Sequence, residues 1–128
     1  MVLRSLEQER MKIAYESVMC VKNKPFEEKY SSLVKKLPAM ITQNGLLTTL
    51  AFLKSKGKDE HEEIIKNICE YLSNRFGEEI NSYEVLIDKL LNSDMTLYLF
   101  YTQEVLSFAI WLKRIAEGEL KGGDQHEG

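Results

Sequence analysis

From Met95 to Ile115 the chain reads MTLYLFYTQEVLSFAIWLKRI, with apolar residues at 97–101, 105, 106, 108–112 and 115. No rotation about a helix axis confines these positions to one face, so the stretch predicts a long helix with neighbours on more than one side. Asp94 or Ser93 supplies an N-cap, and Lys113 with Arg114 suits the negative C-terminal end of the helix dipole. Thr102, Gln103 and Glu104 interrupt the middle, and no apolar run exceeds five residues, well short of the ~18 a membrane span needs. The pattern predicts the central helix of a soluble bundle, with Trp111 in its core.

The rest of the chain supplies helices to surround it. Ser5 and Gln8 have capping-box spacing and open a helix running to about Val21, with Met11, Ala14, Tyr15, Val18 and Val21 turned inward. Lys22, Asn23 and Lys24 break it. Pro25 suits the first position of a second helix, whose inward residues are Phe26, Tyr30, Leu33, Val34 and Leu37. Pro38 ends or bends that helix, because the residue before a proline disfavours helical dihedrals and the proline cannot donate. After Asn44 and Gly45, leucines recur at helical spacing up to Gly57, a left-handed C-terminal cap. The segment from Pro25 to Lys56 therefore reads as three pieces around two corners, or as one long kinked helix.

Asp59 and Glu62 repeat the capping-box spacing ahead of a stripe formed by Ile64, Ile65, Ile68, Cys69, Leu72 and Phe76, closed by Gly77. Ser82 opens a shorter helix with Tyr83, Leu86, Ile87, Leu90 and Leu91 as its core face. No segment alternates as a strand would. The expected fold is all-α: a single-domain helical bundle of about six helices over residues 1–117, with a kinked Pro/Gly corner and a long apolar C-terminal helix. Residues 118–128 offer too little apolar surface to offset the entropy of ordering them, and are expected to form a disordered tail.

With 128 residues the chain has room for one core, and 44% hydrophobic with 29% charged residues excludes a disordered or collagen-like chain. Cys20 and Cys69 fall inside expected helices, as buried free thiols of a reducing compartment do, which points to the cytoplasm. The opening MVLRSLEQER lacks the apolar core of a secretory signal. A net charge of −3 conceals a division. Residues 1–58 hold eleven Lys or Arg against five acids, and residues 59–128 hold six against fifteen. A basic side of this kind suits phosphate, and a basic end suits the acidic end of a second copy in a head-to-tail contact.

Catalytic signatures are missing. His61 opens a helix and His126 lies in the tail, so the two are badly placed to share a metal with Cys20 and Cys69. The EHEE stretch at 60–63 lacks the second histidine of a zinc helix. There is no phosphate-binding glycine loop and no nucleophile elbow. Glu104, alone in an apolar helix, reads as a satisfied buried or edge carboxylate. Neither a cofactor nor a metal is expected.

Three stretches carry a resemblance: SLEQERMKIAYESV, KYSSLVKKLPAMITQNGLLTTLAFLKSKG and YTQEVLSFAIWLKRIAEGEL. In this order and at this length the chain resembles the small subunit of the type III-B CRISPR effector, the Cmr complex. The corner from Leu37 to Leu53 is the most specific part, and Trp111 to Arg114 is the second anchor; neither is a catalytic signature. The resemblance implies a helical, non-catalytic subunit stacked in several copies beside guide RNA and target RNA, with cleavage left to larger subunits. The overall acidity departs from the basic nucleic-acid surface often supposed for such subunits.

Within that reading the expected RNA-backbone contacts are Arg10, Lys12, Lys54, Lys56, Lys113 and Arg114, with Gln43 and Asn44 as amide contacts at the corner. Recognition is expected to ignore sequence, since base pairing with the guide reads the target. The alternative is a free-standing helical DNA-binding or regulatory protein. In it the Pro38–Gly57 corners form a helix-turn-helix, with Lys54 and Lys56 on phosphates.

Overall fold

A computed structural model describes residues 5–122, and six helices account for most of them: α1 (Leu6–Val21), α2 (Glu27–Asn44), α3 (Leu46–Lys56), α4 (Asp59–Phe76), α5 (Tyr83–Leu91) and α6 (Met95–Glu119). Among the described residues there is no strand. Residues 123–128, including His126 and most of the expected tail, lie outside the described residues.

The capping box of α1 forms as its spacing predicts. The Gln8 amide donates to Ser5 Oγ at 3.1 Å and the Ser5 amide to Gln8 Oε1 at 2.8 Å. The inward stripe is rotated from the expected one, however. Ile13, Ala14, Ser17, Val18 and Val21 are buried, whereas Met11 and Tyr15 are each 43% exposed. Pro25 precedes α2 instead of opening it, because the turn is closed by Glu27. The Glu27 carboxylate accepts from the Asn23 amide at 2.9 Å, and Asn23 adopts φ 72°.

Pro38 neither ends α2 nor makes a corner. The helix runs through it to Asn44, with Leu37 fully buried and Ile41 nearly so on either side. Packing on both flanks outweighs the one backbone bond a proline removes. The single corner of this segment is Gly45, at φ 87° and ψ 164°, a region open essentially to glycine alone. The Tyr98 hydroxyl of α6 accepts from the Leu47 amide at 3.1 Å and so supplies from a distance the cap α3 lacks. Gly45→Ala is expected to cost about 1–3 kcal/mol in chemical denaturation. A Cβ there would stand an unstrained 3.7 Å from the Tyr98 hydroxyl, so the loss comes from the backbone; a change under about 0.5 kcal/mol would refute that assignment.

Gly57 ends α3 in the left-handed conformation, as expected, and Gly77 closes α4 in the same conformation. Asp59 does not cap α4. It is the first helical residue, after Lys58, and with Glu60 and Glu62 it places negative charge at the positive end of the dipole. Ser82 and Asp94 do cap α5 and α6, accepting from the Val85 amide at 3.1 Å and the Leu97 amide at 2.8 Å.

Two contacts fix how α1 lies on α6: Arg10 meets Glu104, and Lys22 meets Glu119. The two helices therefore run parallel. Contacts of Glu27 with Lys121 and of Leu47 with Tyr98 make α2 antiparallel to α6. α4 covers one side of this layer, with Tyr71 stacked on Phe108 at 4.5 Å between centroids and Phe76 edge-on to Tyr101 at 5.1 Å. α3 and α5 pack on α4.

α6 is central, yet it is not enclosed. Tyr101, Glu104, Val105, Phe108, Leu112 and Ile115 are buried, while Leu99 is 53% and Ile110 44% exposed. Nor do Lys113 and Arg114 mark its end. The helix continues to Glu119, Leu120 is buried, and the Lys121 amide donates to Glu27 at 2.9 Å. That bond, with the buried leucine, orders residues expected in the tail. On α5, Leu86 and Leu90 face the core but Leu91 is 65% exposed.

Candidate interaction surfaces

The densest polar cluster is buried where α1, α4 and α6 meet. Glu104 accepts from Arg10 at 3.1 Å, from the Tyr71 hydroxyl at 2.8 Å and from Arg75 at 3.1 Å, and Arg10 also donates to the Tyr71 hydroxyl at 3.0 Å. Burial alone would raise the Glu104 carboxyl, but hydrogen bonds from Tyr71 and Arg10 and the charges of Arg10 and Arg75 bring it below the ordinary range. Burial pushes Tyr71 up to about 12. A carboxylate held ionised by two guanidiniums, beside a phenol held neutral, has no proton to exchange near pH 7. This is a structural joint rather than an acid–base pair.

Arg10, expected on the RNA, is thus turned inward, and its side chain keeps only 19% exposure. Lys12 pairs along α1 with Glu16 at 3.3 Å. Lys54 lies 5.2 Å over the Tyr83 ring and 3.9 Å from Glu84, and Lys56 lies 5.6 Å over Phe52. Gln43 and Asn44 are exposed at the end of α2, Arg114 is exposed on α6, and Lys113 is half-buried there. The eight residues do not form one site. They divide among α1, the α2 end, the α3 end and the far half of α6.

Reading the sequence by halves missed Lys29 and Lys36. They are exposed on α2, have no ion-pair partner among the described residues, and stand with Gln43 at seven-residue intervals. Two turns separate each from the next, so the three form one row at about 10 Å steps. The signal was available as an i, i+7 spacing on a helix whose other face is apolar. By contrast α3 turns Thr48, Ala51, Phe52 and Ser55 outward, without the Arg, Asn or Gln side chains that read base edges.

A cleft of about 840 Å³ between α4 and the start of α5 is lined by Lys54, Lys66, Glu62, Glu70 and Glu84 around Cys69. Its thiol is pushed up to about 11 by burial and by Glu70, which makes it unreactive near neutral pH. Among the described residues, no group of three or more His, Cys, Asp and Glu side chains is placed to hold a metal. No helix there is long and apolar enough to cross a membrane.

The family model described as CRISPR-associated protein (Cas_Cmr5) matches residues 6–119, the whole of the helical layer and its cover. The chain belongs to this family. The Cmr5 subunit of the CRISPR system Cmr from Thermus thermophilus is 30% identical over 115 residues, covering 90% of this chain and 96% of that protein. The corresponding subunit from Thermotoga maritima is 33% identical over 130 residues, covering 99% and 93%. The crystal structure of a CRISPR-associated Cmr5 family protein from Thermus thermophilus matches with a TM-score of 0.82 at 28% identity, over 93% of this chain and all of that one.

Membership makes the chain a small subunit of the type III-B CRISPR effector and implies association with other Cmr subunits. It also accounts for the all-helical bundle, which the family's solved structure shares.

Proposed function

We propose that this chain is a non-catalytic building block of the RNA-guided effector, stacking head to tail in several copies and touching the backbone of guide or target RNA. The observation that carries the RNA contact is the row Lys29, Lys36 and Gln43 along the outside of α2. Unpaired cations on a rigid helix suit phosphates, which need charge at reach and no sequence-specific donor pattern. Gln43 and Asn44, exposed together, extend the row toward the corner. Of the other expected contacts, Lys56, Lys113 and Arg114 remain secondary candidates, while Arg10, Lys12 and Lys54 already hold carboxylates.

The stacking follows from the division of charge. Residues 1–58 carry eleven Lys or Arg against five acids and residues 59–128 six against fifteen, so one copy's basic excess suits the next copy's acidic excess.

The test is reconstitution with Lys29→Glu and Lys36→Glu together in chain that keeps its circular dichroism. The salt dependence of target-RNA binding is expected to become shallower by about two units of log–log slope, one for each lost contact. An unchanged slope, with the Lys54→Glu, Lys56→Glu pair or the Lys113→Glu, Arg114→Glu pair lowering it instead, would move the RNA face to α3 or α6.

A further inference from the structure

The lysine row on α2 runs along the rim of a cleft whose charges almost cancel. The cleft, of about 370 Å³, lies between α2 and the start of α4. Glu28, Lys29, Ser32 and Lys36 of α2 line it, with Glu60 and His61 of α4. Ser32 stands between the two lysines, about one turn from each, so the three offer an anion two ammonium groups and a hydroxyl on one ridge. Against them stand two carboxylates, Glu28 exposed and Glu60 buried.

His61 decides the balance. Its Nδ1 is buried without a hydrogen-bond partner and lies 3.5 Å from Glu60 Oε2. Neither neutral tautomer suits that position: a hydrogen on Nδ1 makes no bond there, and a lone pair faces a carboxylate. An imidazolium places opposite charges at that distance instead. The other charges around the ring do not change this count. Lys58 and Asp59, at the start of α4, share an adjoining cleft with Lys29 and offset one another. From α3, Phe52 stands edge-on to the imidazole at 6.0 Å, and Lys56 over Phe52 is cationic at any pH near neutral. With His61 neutral, Lys29 and Lys36 are matched by Glu28 and Glu60. With it protonated, the cleft carries one net positive charge.

We propose that His61 tunes how tightly the α2 row holds RNA: its protonation cancels Glu60 and leaves Lys29, Ser32 and Lys36 free for a backbone phosphate. This rests on the reading of that row as the RNA face. The His61 side chain is only 12% exposed, so it acts through Glu60 and does not itself grip the phosphate. Histidine is the side chain that changes charge between about pH 8 and about pH 5, whereas a phosphodiester stays anionic throughout. Protonation and RNA binding therefore favour each other, and by the same factor in both directions. A cation in this cleft would behave oppositely, since Glu28 and Glu60 would hold it and an imidazolium would expel it.

The full chain carrying His126→Gln, which removes the other histidine, is the parent for the test. Its binding to a fluorescent uridine oligonucleotide is followed by anisotropy at low salt. From about pH 8 to about pH 6 the affinity is expected to rise about fivefold, the worth of one added unit charge beside a phosphate in water. His61→Gln is expected to match the parent at the higher pH and to lose the rise. Glu60→Gln is expected to bind more tightly than the parent at the higher pH, a gain that damaged folding does not produce. Both variants should keep the parent's circular dichroism. A parent without the rise, a rise kept in His61→Gln, or an unchanged affinity in Glu60→Gln would each overturn this role of His61. Lys29→Glu with Lys36→Glu separates the two readings. Full binding by that pair refutes the row itself, whereas weakened binding by the pair, with the rise intact in His61→Gln, refutes only the part assigned to His61.

Discussion

Glu104→Ala is expected to destabilise the chain by about 3 kcal/mol in urea denaturation at pH 7, at the low end for breaking a buried ion pair. The loss arises from what is left behind. Arg10 and Arg75 would face each other with no carboxylate between them, and the Tyr71 hydroxyl would lose its acceptor at 2.8 Å. The low end applies because their side chains retain 19% and 29% exposure and can partly rehydrate. Glu104→Gln, which keeps an acceptor for Tyr71 but not the charge, should fall between wild type and alanine. A loss under about 1 kcal/mol for alanine would mean that water already solvates the cluster.

The same joint sets a pH dependence. Glu104 and Glu27 both titrate below the ordinary carboxylate value of 4.5, Glu27 through backbone hydrogen bonds from Lys121 and Asn23. Protons therefore bind the unfolded chain more readily than the folded one. Their contribution is complete above the unfolded value and is lost as the pH falls through the lower folded values. Denaturation midpoints should fall as the pH drops from about 5 to about 3, and in Glu104→Gln the fall should be shallower.

Phe108→Ala is expected to be the costliest simple truncation, at about 3–5 kcal/mol. Phe108 is fully buried and its ring lies 5° from parallel with Tyr71, so removing it opens a cavity between α4 and α6 and leaves the Tyr71 ring without its partner. Trp111, which the apolar run alone nominates for that role, is only partly buried. Trp111→Ala should therefore cost less than Phe108→Ala in the same urea titration. The reverse order would show that the α4–α6 contact at Phe108 is not the tightest part of the core.

Most element boundaries were legible because they depend on neighbours in sequence. The Ser5–Gln8 box, the caps Ser82 and Asp94, and the left-handed Gly57 and Gly77 involve atoms within a few residues of one another. Errors came where a distant group took over a local role. The Glu27 carboxylate closes the turn that Pro25 was expected to open into a helix, and burial of Leu37 and Ile41 carries α2 through Pro38. Arg10 could not be told from a surface cation, because its partners lie 61 and 94 residues away.

By itself, then, the sequence determined the helices, the caps of α1, α5 and α6, the division of charge and the family, since each resides in the order of residues along the chain. Which sides of those helices remain uncovered was decided only by the tertiary structure. A hydrophobic period marks a face as apolar, but the same leucine spacing serves Leu112 in the core and Leu99 in solvent. The difference depends on where α1, α2 and α4 leave α6 open, and that is fixed by contacts between residues far apart in the chain.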